Sequence, residues 1–321
     1  MIAPRWVADA YVLVVGACLG SFLNVIIARV PHGKSLISPP SSCPRCGARI
    51  AWYDNIPILS WLALRARCRN CGQPISGRYP LVELLTALLL FAIWRRFGGQ
   101  WATLGYAAFA CALVALTYID LDTWLLPHEI TWPLLAIGLL SPLWNPALGW
   151  PDTLLGAAIG FVFFGGIAFV GEKVLHKETM GWGDVWLLAG IGAWLGWTAL
   201  LPVVLLSAVQ GSAVGAVLLA VGRGPAEKAR AEREARGANA AAANEATHPA
   251  AMDAARSVAP SWYSGHPPPE QPPHAPDEED WVPPPHAVPF GPFLALAALE
   301  VLLARDVLWG WYFGALQRLF G

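Results

Sequence analysis

The chain has 321 residues, of which 56% are hydrophobic and 13% charged, with mean hydropathy +0.48 and a formal net charge of −1. Soluble domains carry about 25% charged residues, so the composition excludes an ordinary soluble domain. The net charge says little by itself, so its distribution along the chain is read instead, and no nucleic-acid partner is expected. Eight apolar runs predict an all-α polytopic membrane protein with about eight transmembrane helices. They lie at about 7–28, 81–97, 101–119, 127–143, 152–171, 184–198, 200–221 and 290–304.

The first run has no basic segment before it and passes straight into a Cys-rich loop, so it is expected to stay in place as a span. It holds Gly16 and Gly20 at small-xxx-small spacing, which fits close helix packing or a groove for a substrate helix. Asn24 and Arg29 stand at its far end, where Arg29 also suits a membrane boundary. Cys18 in this run and Cys111 in the third are expected to be small buried hydrophobes.

The loop that follows contains Cys43, Cys46, Cys68 and Cys71, spaced C-x2-C-x21-C-x2-C. Each pair offers two thiolates from a tight turn, and two such turns complete a tetrahedral sulfur shell that suits structural zinc. Disulfides or free thiols are the alternative. Gly47 and Gly72 follow the second Cys of each pair and help the chain turn around a metal. With no open ligand position, the metal's expected task is to fold a small loop domain.

"LTYIDLDTWLLPH" puts Asp120 and Asp122 at the end of the third span. "MGWGDVWLLAG" puts Asp184 at the start of the sixth, after Gly181 and Gly183, which are expected to form a tight turn of positive φ with close backbone approach. Alone, Asp184 reads equally well as a helix N-cap. The topology adds a partner, because both helix ends fall on the same side. Carboxylates in spans point to function, and two brought together can share a proton and activate water for peptide hydrolysis. Asp122 lies about 200° round the helix from Asp120, so only one of them can face Asp184. His128 and His176 lie near the same face, but neither has an obvious nucleophile beside it.

Lys and Arg set the orientation. The loop at 29–80, the loop before Asp184 and the region after 222 carry 16 of the 21 basic residues. These three regions are therefore placed in the cytoplasm, with Arg95 and Arg96 dissenting on the outer side. Residues 223–289 run from Ala/Glu/Arg-rich to Pro-rich and acidic. They are expected to be disordered, as a tolerated linker or a docking segment. Glu300, deep in the last run, suggests snorkelling or a partner on another span.

From "GSFLNVIIARVP" through the cysteine loop, "GRYPLVELLTALL", "IDLDTWLLP", "MGWGDVWLLAGIGAWLG" and "PFGPFLALAAL", the chain resembles the type IV prepilin leader peptidases, intramembrane aspartic proteases of the GxGD type. The resemblance covers nearly everything except 223–288. It implies that Asp120 and Asp184 are catalytic, with Gly181 and Gly183 as the active-site turn. His128 departs from the family's usual Asp or Asn.

The resemblance also implies cleavage of a basic leader from pilin or pseudopilin precursors in a bacterial inner membrane, with the active site and zinc loop facing the cytoplasm. S-adenosylmethionine-dependent N-methylation of the new N-terminus would follow, with type IV pilus or type II secretion machinery as further partners beside membrane lipids. Glu83 is a candidate for the methyl-transfer site, or a first-turn acid favoured by the helix dipole.

The expected organisation is 1–100, a methyltransferase-associated half with the zinc loop; 101–222, a peptidase bundle with the aspartates; 223–289, the insertion; and 290–321, the last span. An ion- or proton-coupled transporter using the same carboxylates, and a zinc-bearing secretion scaffold, are the rival readings. No internal repeat supports the first of these.

Overall fold

The computed structural model describes residues 4–173, 181–221 and 288–320; the side chains of 220, 221, 308, 309 and 311–320 are not described. His176, Lys177 and the insertion at 223–287 fall outside these residues. Two compact units are defined, Met1–Gln210 with Pro289–Gly321, and Gly211–Val288. All that follows concerns the first, apart from the end of α8.

The helices are α1 (Arg5–Arg29), α2 (Leu59–Ala63), α3 (Arg78–Phe97), α4 (Trp101–Thr123), α5 (His128–Leu139), α6 (Trp150–Lys173), α7 (Trp182–Leu195), α8 (Leu200–Val221) and α9 (Gly291–Phe320). Eight of them match the eight apolar runs; α2 is a short addition in the cysteine loop. Four segments are long and apolar enough to cross a membrane: Arg5–His32, Trp101–Thr123, Trp150–Lys173 and Trp197–Leu219. The fourth run breaks after Leu139 into a 3-10 turn at Ser141–Leu143, where Pro142 cannot continue the helix. The last run continues past 304, through a kink at Ala304 (φ −113°, ψ 17°), instead of ending there.

Small residues set the closest helix contacts. A Cβ on Gly16 would stand 2.7 Å from the Ala87 Cα, and one on Gly20 would stand 2.6 Å from the Glu83 Cα. The Gly16/Gly20 face therefore packs α1 directly onto the α3 backbone. Cys18 lies two residues away on the other face and is exposed, not buried as expected, while Cys111 is partly buried. Gly156 and Gly160 bring α6 equally close to the backbone of α7 at Gly192 and Leu188.

α7 is apolar on every side, the pattern of an enclosed helix. Val185, Leu187, Leu188 and Ile191 are fully buried. Trp194 lies 5.3 Å from the Phe109 ring and donates its Nε1–H to Leu134 O at 2.8 Å, tying α7 to α4 and α5. At one end of the bundle, Asp9 takes both the Trp94 indole N–H (3.1 Å) and Arg95 (3.4 Å), and Arg96 pairs with Asp306. The two arginines that dissent from the charge pattern are thus each matched by an acid. Glu300 accepts from Gln210 Nε2 at 2.7 Å, joining α9 to α8.

Candidate active site

α4 ends at Thr123 because Trp124 turns left-handed (φ 59°) and closes the last turn onto Asp120 O. This places Asp120 in the final turn of α4, 5% exposed. Asp122 points elsewhere. It is exposed and holds Arg78 of α3 at 2.7 Å, with the guanidinium also lying 4.9 Å from the Tyr118 ring. The helical offset that separates the two aspartates in the sequence separates them in space.

α7 starts at Trp182, with Gly181 at the N-cap position. Asp184 is therefore a third-position residue and not the cap, which sets the capping reading aside. Gly181 has φ −66° and ψ 138°, and Gly183 is likewise outside the positive-φ region. The expected positive-φ turn is not formed. Close approach is the reason for Gly183: a Cβ there would stand 2.9 Å from Leu126 Cβ. Gly181 is less constrained, its Cβ position lying 3.7 Å from Asp184 Oδ2.

The Asp120 carboxylate lies close enough to act electrostatically on that of Asp184. A third element closes the site. The backbone of Gly291, the first residue of α9, lies directly beside the Asp120 carboxylate. A Cβ on Gly291 would stand 2.5 Å from Asp120 Oδ2 and 3.4 Å from Leu126 Cδ1. Leu126 thus touches both Gly183 and Gly291 beside the two acids. Gly291 and Leu126 were missed as site residues; the "PFGPF" stretch marked a helix start but gave no sign of which side chain it would meet.

Beside this centre, His128 stacks on Trp132 (5.0 Å) and meets Trp186 edge-on (6.3 Å). On the other side, Asn24, Ile27, Arg78, Tyr79 and Asp122 line a pocket of about 300 Å³. Asn24 donates to Tyr79 O at 3.1 Å. Arg29 is committed to Ser35 O and Pro39 O, at 2.8 and 2.7 Å, and fixes the start of the loop. Glu83 is 8% exposed and accepts from the Ile58 N–H at 2.7 Å.

The four loop cysteines form one cluster, with their sulfurs within 4.8 Å of one another. The two turns repeat each other. Cys43 N–H bonds Ala48 O and Gly47 N–H bonds Cys43 O; Cys68 N–H bonds Gln73 O and Gly72 N–H bonds Cys68 O. Gly47 and Gly72 both have φ near the left-handed minimum, at 69° and 67°.

Zinc–sulfur bonds of about 2.3 Å imply a tetrahedron edge of about 3.8 Å, and Cys43 Sγ lies 3.9 Å from Cys71 Sγ. The backbone N–H groups of Cys46 and Arg45 hold the Cys43 thiol below its ordinary value, and those of Cys71 and Asn70 do the same for Cys68. The Ala48 N–H and the Asn70 amide lower Cys46. At Cys71 the Gln73 N–H is outweighed by burial and the three neighbouring sulfurs, and the thiol is pushed up to about 11. Three thiols are thus biased toward the thiolate that ligates metal, and the donor set fits a bound metal ion.

Fold and site define a helical protein with four segments fit to cross a membrane, a buried acid at the end of α4, an acid in the first turn of α7 and a four-cysteine metal-type loop. The chain matches the bacterial peptidase A24 N-terminal domain over residues 14–97 and the type IV leader peptidase family over residues 107–216. It is 48% identical to a prepilin leader peptidase/N-methyltransferase of Myxococcus xanthus over 300 residues, covering 91% of this chain and 89% of the relative. Proteins of the same description from Aeromonas hydrophila (41% identity, 67% of this chain, 82% of the relative) and Burkholderia pseudomallei strain 1026b (38%, 68% and 79%) are also similar. No solved structure matches significantly. The chain belongs to the type IV leader peptidase family. It is an enzyme of that family, a peptidase and N-methyltransferase, and its four apolar helices fit an inner-membrane protein.

Proposed function

We propose that this chain cleaves the basic leader from type IV prepilin-like precursors, pilins or pseudopilins, using water activated between Asp120 and Asp184. What supports this is that Asp120, buried at the end of α4, and Asp184, in the first turn of α7, lie within electrostatic reach of each other around the shared neighbour Leu126. One carboxylate, ionised, takes a proton from water. The other, protonated, donates to the scissile carbonyl. The pair titrates as a unit, so the two trade base and acid roles in one turnover. Gly183 gives the first turn of α7 its close approach to Leu126, and Gly181 stands at the N-cap of the helix that carries Asp184.

The N-terminal half then N-methylates the new N-terminal residue with S-adenosylmethionine, which supplies an electrophilic methyl group. Arg78, Asp122 and Asn24 line the pocket that would take the donor's charged amino-acid end. Glu83 acts on this step through the loop it anchors. Cys43, Cys46, Cys68 and Cys71 hold a structural zinc. The eight apolar segments, of which four are long enough to cross it as single helices, are placed in the inner membrane, with the basic loop, the aspartates and the zinc site on the cytoplasmic side. The charge distribution supports that orientation. Pilus or secretion machinery is the destination of the product.

Asp120→Asn and Asp184→Asn, assayed separately on a prepilin-like peptide in detergent, test the mechanism. Each is expected to lose at least about a thousandfold in cleavage, the scale set by removal of an essential acid or base. Full cleavage by either variant removes that residue from the reaction. Transfer of labelled methyl from S-adenosylmethionine to the cleaved product tests the second activity.

A further inference from the structure

Residues 52–63 present an apolar face that the rest of the described chain leaves bare. Trp52 is 82% exposed, Leu59 64% and Leu62 59%, and Tyr53 and Ile56 are exposed beside them. They belong to the 3-10 turn Trp52–Asn55 and to α2. The presentation is fixed. Ile58 before α2 has φ 63°, and Arg65 and Ala66 after it have φ 51° and 58°. Left-handed backbone at three non-glycine residues persists only where surrounding contacts determine it. At Ile58 that contact is the N–H bond to Glu83.

The same bond sets the depth of α2. Glu83 lies five residues into α3, about 7 Å along its axis. Gly20 of α1 packs directly against the Glu83 backbone, nine residues before Arg29, which is about 13 Å of helix. Residues Arg5–His32 are apolar enough to cross a membrane. Ile58 therefore stands alongside helix turns inside the apolar run, not beyond its end.

Charge identifies what lies around the face. Residues 29–80 hold eight Lys and Arg and one acid, Asp54. Arg69 occupies that acid through two bonds, at 2.6 and 2.7 Å. Arg45, Arg49, Arg65 and Arg67 are exposed. Trp and Tyr favour the membrane–water boundary, and basic residues beside it attract anionic headgroups.

We propose that residues 52–63 form an interfacial membrane anchor. Trp52, Tyr53, Ile56, Leu59 and Leu62 enter the leaflet beside α1 and α3, and the neighbouring arginines contact the phosphates of anionic phospholipids. The anchor fixes the height of the cysteine loop over the ends of α1 and α3.

The test uses the full chain in vesicles of phosphatidylethanolamine and phosphatidylglycerol. A benzophenone amino acid replaces Leu59 or Leu62 singly, with Tyr53 as a further site in case a helical position disturbs folding. Leu88, 51% exposed on α3, carries the probe as a reference within a helix of the bundle. After illumination, mass spectrometry is expected to find phospholipid adducts at the loop positions as well as at Leu88. Replacing phosphatidylglycerol by phosphatidylcholine should lower the loop adducts by about twofold or more, as headgroup attraction is lost, and leave Leu88 unchanged. Lipid adducts at Leu88 with none at any loop position would overturn the proposal. So would loop adducts to a protein in place of lipid. The readout does not depend on cleavage, so it stands or fails apart from the active-site reading.

Discussion

Gly291 leaves no room beside Asp120. Its backbone lies directly beside the carboxylate, and the point where a Cβ would stand is 2.5 Å from Oδ2. Gly291→Ala must push either the acid or the start of α9 away. Misplacing a catalytic group by about 1 Å costs on the order of a hundredfold, and a loss of that size in cleavage is expected, with the protein still folded. Gly181→Ala adds a Cβ at ordinary contact distance from Asp184 and should keep most of the activity. Peptide cleavage and size-exclusion profiles of the two variants check the contrast.

Asp122 provides a control within the same helical turn. It is half exposed and paired with Arg78, whose side chain is also about one-third exposed. Such pairs contribute at most about 1 kcal/mol. Asp122→Asn should therefore leave the melting temperature nearly unchanged and preserve cleavage, while Asp120→Asn abolishes it. If methyl transfer uses the pocket beside Arg78, Asp122→Asn lowers methylation without lowering cleavage. Assaying both products from one reaction separates these effects.

Gly183 and Leu126 should behave as a coupled pair. A Cβ on Gly183 would lie 2.9 Å from Leu126 Cβ and 3.3 Å from Cδ1. Overpacking of this kind typically costs about 1–3 kcal/mol. Gly183→Ala should lower thermal stability in detergent and weaken cleavage. Leu126→Ala keeps the Cβ but removes the Cγ and Cδ1 atoms at 3.5 and 3.3 Å, which leaves room for the segment to shift, so the double variant should recover a small part of the loss. A double-mutant cycle on melting and cleavage measures the coupling; strict additivity would mean the two residues do not touch.

The cysteine cluster predicts one zinc per chain by elemental analysis. Cys71→Ser, or exhaustive chelation, should remove it. Since Zn–thiolate binding folds small domains, the expected result is rapid proteolysis within residues 43–72. Asp120 and Asp184 stand on helices outside this loop, so cleavage of a short peptide should fall less than methylation. Limited proteolysis with and without chelator reads the first effect, and the paired product assay reads the second.

Local features of the sequence were readable where the chemistry is local. The C-x2-C spacing and its following glycines define both turns of the cysteine cluster. The two-residue offset of Asp120 and Asp122 determines that they face different partners. Contacts across long separations were not readable. Nothing in "GRYPLVELL" says that Glu83 will receive the N–H of Ile58, or in "PFGPF" that Gly291 will meet Asp120. Both depend on how helices far apart in the chain pack. The glycines of "MGWGD" suggested positive φ, because that is their commonest use, whereas Gly183 is required by a neighbour 57 residues away. The last apolar run reads as ending at about 304, yet the helix continues through a kink.

The two family matches meet between Phe97 and Ala107, at the link from α3 to α4. The ion pair between Arg78 and Asp122 crosses that seam, and Asp122 shares a helical turn with Asp120. A chimera joined at the seam would bring together an arginine and an aspartate that had not served each other before. The two matches are separate as sequences but touch at this pair, and a transplant that keeps the contact must move the end of α4 together with the start of α3.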